Sequence, residues 1–270
     1  MKKTAIFIVS PLVLGIIGAL LRAFEFVYGF EEDTGLAVFG SSYRIALYIF
    51  AAVCLAAFLF LALSGFSKRV VKSPRIFCRS EKKTALLLYT LSSFLMISAG
   101  VVLFIGFINN ALLSRAILAM LTVISGCCIL ALAKCFKSET FSSASALYAL
   151  VLIFWSCFFV IIFFQENGVD PSVQAYMYDL FCCIAIMFAL YSFGRFFFER
   201  GSLRMLSFFS MLSVFLMLTA RGGRIIASFM TSGRIENGML DSLPYISLAL
   251  FFIAVLSSVT ATEKRAQDGE

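Results

Sequence analysis

"TARGGRIIASF", residues 219–229, closes an apolar run that begins at Leu206, and its reading decides how the last third of the chain is threaded. A helix that stops at Ala220 falls short of the about 20 residues that a bilayer core requires at 1.5 Å each. A helix that continues through Phe229 crosses easily but carries Arg221 and Arg224 with it. The helix-end reading accounts for "ARGG": a cation is favoured at the negative end of the helix dipole, and Gly222 supplies a left-handed cap. Arg224 is less well covered, and the competing reading is an anion site.

The rest of the chain fixes the solvent around this stretch. Apolar residues make up 61% of 270, charged residues 14%, and the mean hydropathy is +1.00. A soluble domain is about half apolar and a quarter charged, so the solvent for most of this chain is lipid. Eight runs approach bilayer length: Thr4–Leu21, Ile45–Ser64, Ala85–Ile105, Ala116–Ala133, Ala146–Phe164, Leu180–Phe198, Leu206–Ala220 and Tyr245–Thr260. Open strands would leave backbone groups unpaired in hydrocarbon, so each is expected to be a helix. The fold class is all-α, a polytopic integral membrane protein with eight transmembrane helices. The N-terminal run resembles a signal peptide, but its apolar part exceeds the usual ~7–15 residues and no A-x-A-like site follows. It reads as a retained first span, with Pro11 as a candidate kink.

Orientation follows lysine and arginine. Sixteen of the 22 fall on one side: Lys2, Lys3, the seven of the 66–83 loop, Lys134, Lys137, Arg195, Arg200, Arg204, Lys264 and Arg265. Six arginines and no lysine fall on the other: Arg22, Arg44, Arg115, Arg221, Arg224 and Arg234. Both termini are therefore expected in the cytoplasm of a cell-membrane protein. The net charge of +7 does not indicate nucleic acid, because the basic residues sit in short gaps between apolar runs. Residues 1–270 read as a single transmembrane domain, with a weak four-plus-four parallel repeat over 1–137 and 138–270 carried by similar polar turns at 35–50 and 168–183. Asp170 and Pro171 read as N-cap and first residue of span six.

Lipid supplies little drive for helices to associate, so small residues that permit close packing matter. Gly15, Ala19 and Ala23 form one stripe of this kind, and Ala52 and Ala56 a second. Trp155, in mid-span, reads as a packing residue between helices, and the many phenylalanines as lipid-facing bulk.

Several chemistries are excluded. Without histidine there is no Ser-His or Cys-His nucleophile system and no HExxH metal site. No carboxylate or lysine lies near the centre of a run, and no phosphate-binding loop is present. The eight cysteines form no C-x-x-C pair, so neither a metal nor a cofactor is expected.

The outer arginines remain. Arg44 and Arg115 lie at helix N-termini, where the dipole disfavours a cation by up to ~1 kcal/mol unless something compensates. Glu25, the acidic group Glu31 to Asp33, and Asp179 are the candidate partners, and Arg22 and Glu25 are spaced to pair on one helix face. Arg22, Glu25, Arg44, Arg115, Asp179, Arg221 and Arg224 would then line an outward-facing vestibule for an anionic or zwitterionic ligand, since arginine's fork suits carboxylate or phosphate. The alternative is structural pairing and snorkelling to lipid phosphates. The functional expectation is a transporter-like or permease-type protein without its own ATPase. The competing expectation is a non-transporting subunit: a sensor, scaffold or accessory chain. Membrane lipids are the expected partners, with the 66–83 loop against anionic headgroups and a protein subunit as further ones.

Overall fold

Backbone polar groups in an apolar surrounding must bond within the chain, and helix meets that demand here almost throughout. The computed structural model describes residues 2–31, 38, 40–66, 70–71, 83–110, 113–168, 173–231 and 241–267. Its helices are α1 (Lys2–Tyr28), α2 (Ser42–Gly65), α3 (Lys83–Asn110), α4 (Leu113–Ser138), α5 (Ser143–Asn167), α6 (Val173–Gly194), α7 (Leu203–Met230) and α8 (Leu243–Gln267). Each contains a stretch long and apolar enough to cross a membrane. Asp33, Asp170, Pro171, Arg234 and the side chains of residues 67–83, which hold all seven basic residues of the 66–83 loop, lie outside the described residues.

The helices alternate in direction. α3, α4, α5, α6 and α7 pack in succession, α1 and α2 lean on α7, and α8 is held between α3, α7 and α1. α7 and α8 are the most buried of the eight, whereas α2 is the most exposed. At the end opposite the outer arginines, β1 (Val70–Val71) pairs antiparallel with β2 (Gly201–Ser202). Arg204 Nε donates to the Phe66 carbonyl at 2.7 Å, tying the two connections together there.

The helix-end reading of "ARGG" is overturned. α7 does not stop at Ala220. Leu218–Gly222 form a single π-helical turn, and α-helix resumes over Gly223–Met230. Gly222 has φ −60° and ψ −42°, ordinary right-handed helix rather than a left-handed cap. The π turn inserts one residue, so the side chains beyond it are rotated by about 100° relative to those before. Arg221 consequently sits inside a continuous helix, about 14 Å short of its end at Met230.

The glycines serve contact with α1 instead. A methyl group at Gly223 would lie 2.6 Å from Arg22 Cβ, one at Gly222 3.1 Å from Ala19 Cβ, and one at Gly15 2.8 Å from Leu218 Cβ. Gly18 meets the Thr219 side chain just as closely. The stripe Gly15, Ala19 and Ala23 is buried, and it lets α1 approach α7 as small-residue interfaces do. The second stripe is corrected: Ala52 and Ala56 face outward, and α2 turns Cys54, Phe58 and Ala62 to the bundle. An alanine is acceptable to lipid and to a neighbouring helix alike, so its spacing does not decide the face.

Trp155 is fully buried, and its Nε1 donates to Thr122 Oγ1 at 2.8 Å, a hydrogen bond between α5 and α4. The phenylalanines do not all face outward. Phe58, Phe193, Phe196, Phe215, Phe251 and Phe252 are buried, while Phe60, Phe94, Phe154 and Phe229 point outward.

Gly223→Val should lower stability by about 1–3 kcal/mol, because neither helix can yield where backbones meet. Ala52→Val, on the outward face, should change it by less than about 0.5 kcal/mol. Unfolding of both purified variants in one detergent checks the contrast.

Candidate functional site

Helix alternation brings the C-terminal ends of α1, α5 and α7 to the same end of the bundle as the N-terminal ends of α2, α4, α6 and α8. All seven residues of the expected vestibule therefore gather at one end, but in three separate arrangements. In the first, Glu25 binds two guanidinium groups. Arg22 NH1 pairs with Glu25 Oε2, three residues on along α1, and Arg44 Nε donates to Glu25 Oε1 at 3.2 Å. Arg44 also donates to the carbonyls of Gly29 (2.9 Å) and Val38 (3.2 Å). It thus fastens the α1–α2 connection to the end of α1. Those carbonyls and Glu25 supply the compensation that its position at a helix N-terminus requires.

In the second arrangement Asp179, on the first turns of α6, takes both arginines of α7. Its Oδ1 lies 2.9 Å from Arg221 Nε, and its Oδ2 accepts from Arg224 NH2 at 2.8 Å. Arg221 NH2 also donates to the Tyr245 hydroxyl at 2.8 Å, and Cys183 Sγ lies 3.4 Å from the same oxygen. Arg221, Asp179 and Tyr245 are all buried. The Arg224 guanidinium sits 5.4 Å from the Tyr176 ring centre and 5.8 Å from that of Phe26, and Phe26 also lies 4.3 Å from the Arg22 guanidinium. Phe26 thereby stands between the two clusters.

The third arrangement was not expected. Arg115 pairs neither with Glu25 nor with Asp179. Its Nε donates to Glu166 Oε1, at the end of α5, at 2.6 Å. This pair is partly exposed.

A cavity of about 630 Å³ opens between α3, α4, α5, α6, α7 and α8. Arg115, Arg221, Arg224, Glu166, Asp241, Tyr176 and Tyr245 supply its charged and phenolic groups, while Leu103, Leu118, Phe159 and Ile162 are among its apolar walls. Four of the seven expected vestibule residues do not line it: Arg22, Glu25 and Arg44 belong to the α1–α2 cluster, and Asp179 stands behind Arg221 and Arg224. The sequence reading passed over Glu166, Tyr176, Asp241 and Tyr245. Glu166 was findable as an acidic residue at an α5 end that faces the arginine side. Tyr245 carried no such signal.

Beyond the cavity, toward the opposite end, aromatic rings fill the interior. Tyr89 lies 5.3 Å from Phe136 and 5.5 Å from Phe251, and Phe193 lies 5.2 Å from Phe251, centre to centre. Three of the mid-span hydroxyls are turned to backbone, Thr122 to Leu118 O, Ser156 to Ile153 O and, on the outward face, Ser98 to Leu95 O, whereas the buried Ser125 hydroxyl meets no hydrogen-bond partner among the described residues.

Compared with protein-family models, curated proteins and solved structures, the chain matches none.

Asp179→Ala leaves Arg221 buried without its carboxylate and should cost about 3–5 kcal/mol. Adding Arg221→Met should recover much of that loss. Glu166→Ala, at a half-exposed pair, should cost less than about 1 kcal/mol. Denaturant unfolding of the three variants under identical detergent conditions measures the differences.

Proposed function

We propose that the chain is a transporter-like, permease-type protein of the cell membrane, with both termini in the cytoplasm, that receives a small anionic or zwitterionic ligand in this cavity from the outer side. The observation that carries the reading is the wall formed by Arg221 and Arg224. Two guanidinium groups sharing one carboxylate retain a net positive charge, and they face a space of about 630 Å³. Small-molecule sites are typically about 300–1,000 Å³, mostly apolar, with a few convergent polar groups. Glu166 and Asp241, across the same cavity, suit the cationic part of a zwitterion. The π turn supports the reading, since such turns in helices gather at functional sites. The excess of lysine and arginine at the opposite end supports the orientation. With no nucleotide-binding motif, movement of a solute would be secondary or driven by a partner protein.

A second reading, a non-transporting sensor, scaffold or accessory subunit, is favoured by the aromatic packing beneath the cavity. Contact of the 66–83 loop with anionic headgroups would belong to either reading.

Thermal unfolding of the purified protein with glutamate, succinate or glycerol 3-phosphate tests the site. At least one should raise the midpoint in wild type and do so much less in Arg224→Ala and Arg115→Ala. Arg44→Ala, outside the cavity, should retain the response. A wild type indifferent to all three, or an undiminished response in Arg224→Ala, overturns the proposal. Tags on the two termini should be protected by the same face of the membrane.

A further inference from the structure

A second hollow adjoins the arginine cavity. It is a groove of about 320 Å³ on the outward face of α3 and α4, lined by Gly100, Val101, Phe104, Ile105, Ala119, Met120, Val123 and Ile124, with no polar side chain among them. It begins where α3 and α4 touch most intimately. A methyl group at Gly100 would lie 2.8 Å from Val123 N, and one at Gly126 2.9 Å from Ile97 N. From there the groove runs about 8 Å along α3 to Ile105.

Ile105 lines both hollows. On α3, Val102, Leu103 and Gly106 face the cavity while Val101 and Phe104 face the groove. On α4 the neighbours Leu118 and Ala119 divide in the same way. The helix pair is thus a partition with Ile105 at its rim, and the rim is open: a methyl group at Gly106 would meet nothing within 4 Å. Arg115 stands at the N-terminal end of the same partition, about one turn from Leu118.

We infer that the ligand of the cavity is a single-chain amphiphile with a phosphate headgroup, its phosphate at Arg115, Arg221 and Arg224 and its hydrocarbon chain crossing the rim at Ile105 and Gly106 into the α3–α4 groove. This rests on the cavity being a ligand site and narrows the class of ligand it takes. A phosphate offers oxygens to more than one guanidinium fork. The apolar groove accepts only the other half of such a molecule. A wholly water-soluble anion would leave the groove to bulk lipid, and a neutral lipid would leave unmatched the positive charge that Arg221 and Arg224 retain beside their shared Asp179. The ligand would arrive sideways from the bilayer leaflet that holds this end of the bundle.

The test uses two probes with one headgroup: radiolabelled oleoyl-lysophosphatidic acid and glycerol 3-phosphate. Binding to the full-length protein in phosphatidylcholine nanodiscs is followed by scintillation proximity, with empty nanodiscs subtracted. Because the lipid probe concentrates in the bilayer whatever the protein does, the variants decide. Val101→Phe and Ile124→Phe fill the groove from outward-facing positions, where the fold tolerates a ring. Each should weaken the lipid probe by about tenfold, a difference of about 1.4 kcal/mol, and leave glycerol 3-phosphate unchanged. Arg115→Gln should weaken both probes. Lipid binding untouched by both groove variants, or untouched by Arg115→Gln, overturns the inference. If glycerol 3-phosphate binds in an Arg115-dependent way while the lipid probe gains nothing from the groove, the cavity stands as a site for a soluble anion and the amphiphile is wrong. Binding of neither probe rejects the phosphate-headed ligand, and the carboxylate responses in thermal unfolding then decide separately whether the cavity is a site at all.

Discussion

An arginine keeps its charge at any pH a cell reaches, so one removed from water must be given a counter-charge and hydrogen-bond acceptors. This constraint organises one end of the molecule. Arg22, Arg44 and Arg221 are almost wholly buried there, and Arg224 is mostly so. Glu25 and Asp179 each bind two of them. Glu25 joins α1 to α2, and Asp179 joins α6 to α7. Phe26 on α1 lies against Arg22 and Arg224 alike, so the two clusters form one polar layer across the bundle. Such pairs add little net stability compared with well-packed apolar residues, but breaking one is costly because the remaining charge stays buried. Their structural effect is to fix which helices are neighbours.

α7 shows how this layer is reached. A helix that ended at Ala220 would leave Arg221 at its tip, free to snorkel to water. Continuation to Met230 instead holds Arg221 below the helix end, beside Asp179 and Tyr245. The two glycines that imitate a cap in sequence admit α1: Gly223 receives the Arg22 side chain and Gly222 lies against Ala19. Close packing and charge pairing thus act at the same turn. The cavity occupies the remaining space, between a charged wall on α7 and apolar walls on α3 and α5.

Much of this was legible from the chain alone because hydropathy and helical spacing are local. Seven of the eight apolar runs fall within helices, most of which extend several residues beyond them, since polar residues at the ends still propagate helix; the sixth, Leu180–Phe198, runs past the end of α6 at Gly194 into turns. Pairing of Arg22 with Glu25 followed from their spacing, and Glu25 stood among three candidate partners for Arg44, of which the structure selects it. Arg115 with Glu166, and Asp179 with Arg221 and Arg224, depend on which helices become neighbours, and periodicity carries no such information. The π turn was hidden for a different reason. Arg-Gly-Gly after an apolar run has the chemistry of a helix end, and only the packing of α1 against it determines that the helix goes on. The face of α2 was misread because alanine is indifferent between lipid and protein.

The central claim is that charge pairing at this end leaves a water-filled cavity reaching into the bundle. Phe159 lines it about 12 Å below the end of α5, whereas Phe154, on the same helix, points outward. In protein otherwise freed of cysteine, Phe159→Cys should react with a charged, membrane-impermeant methanethiosulfonate reagent, and Phe154→Cys should not. Protection of both cysteines in folded, membrane-embedded protein would contradict the account.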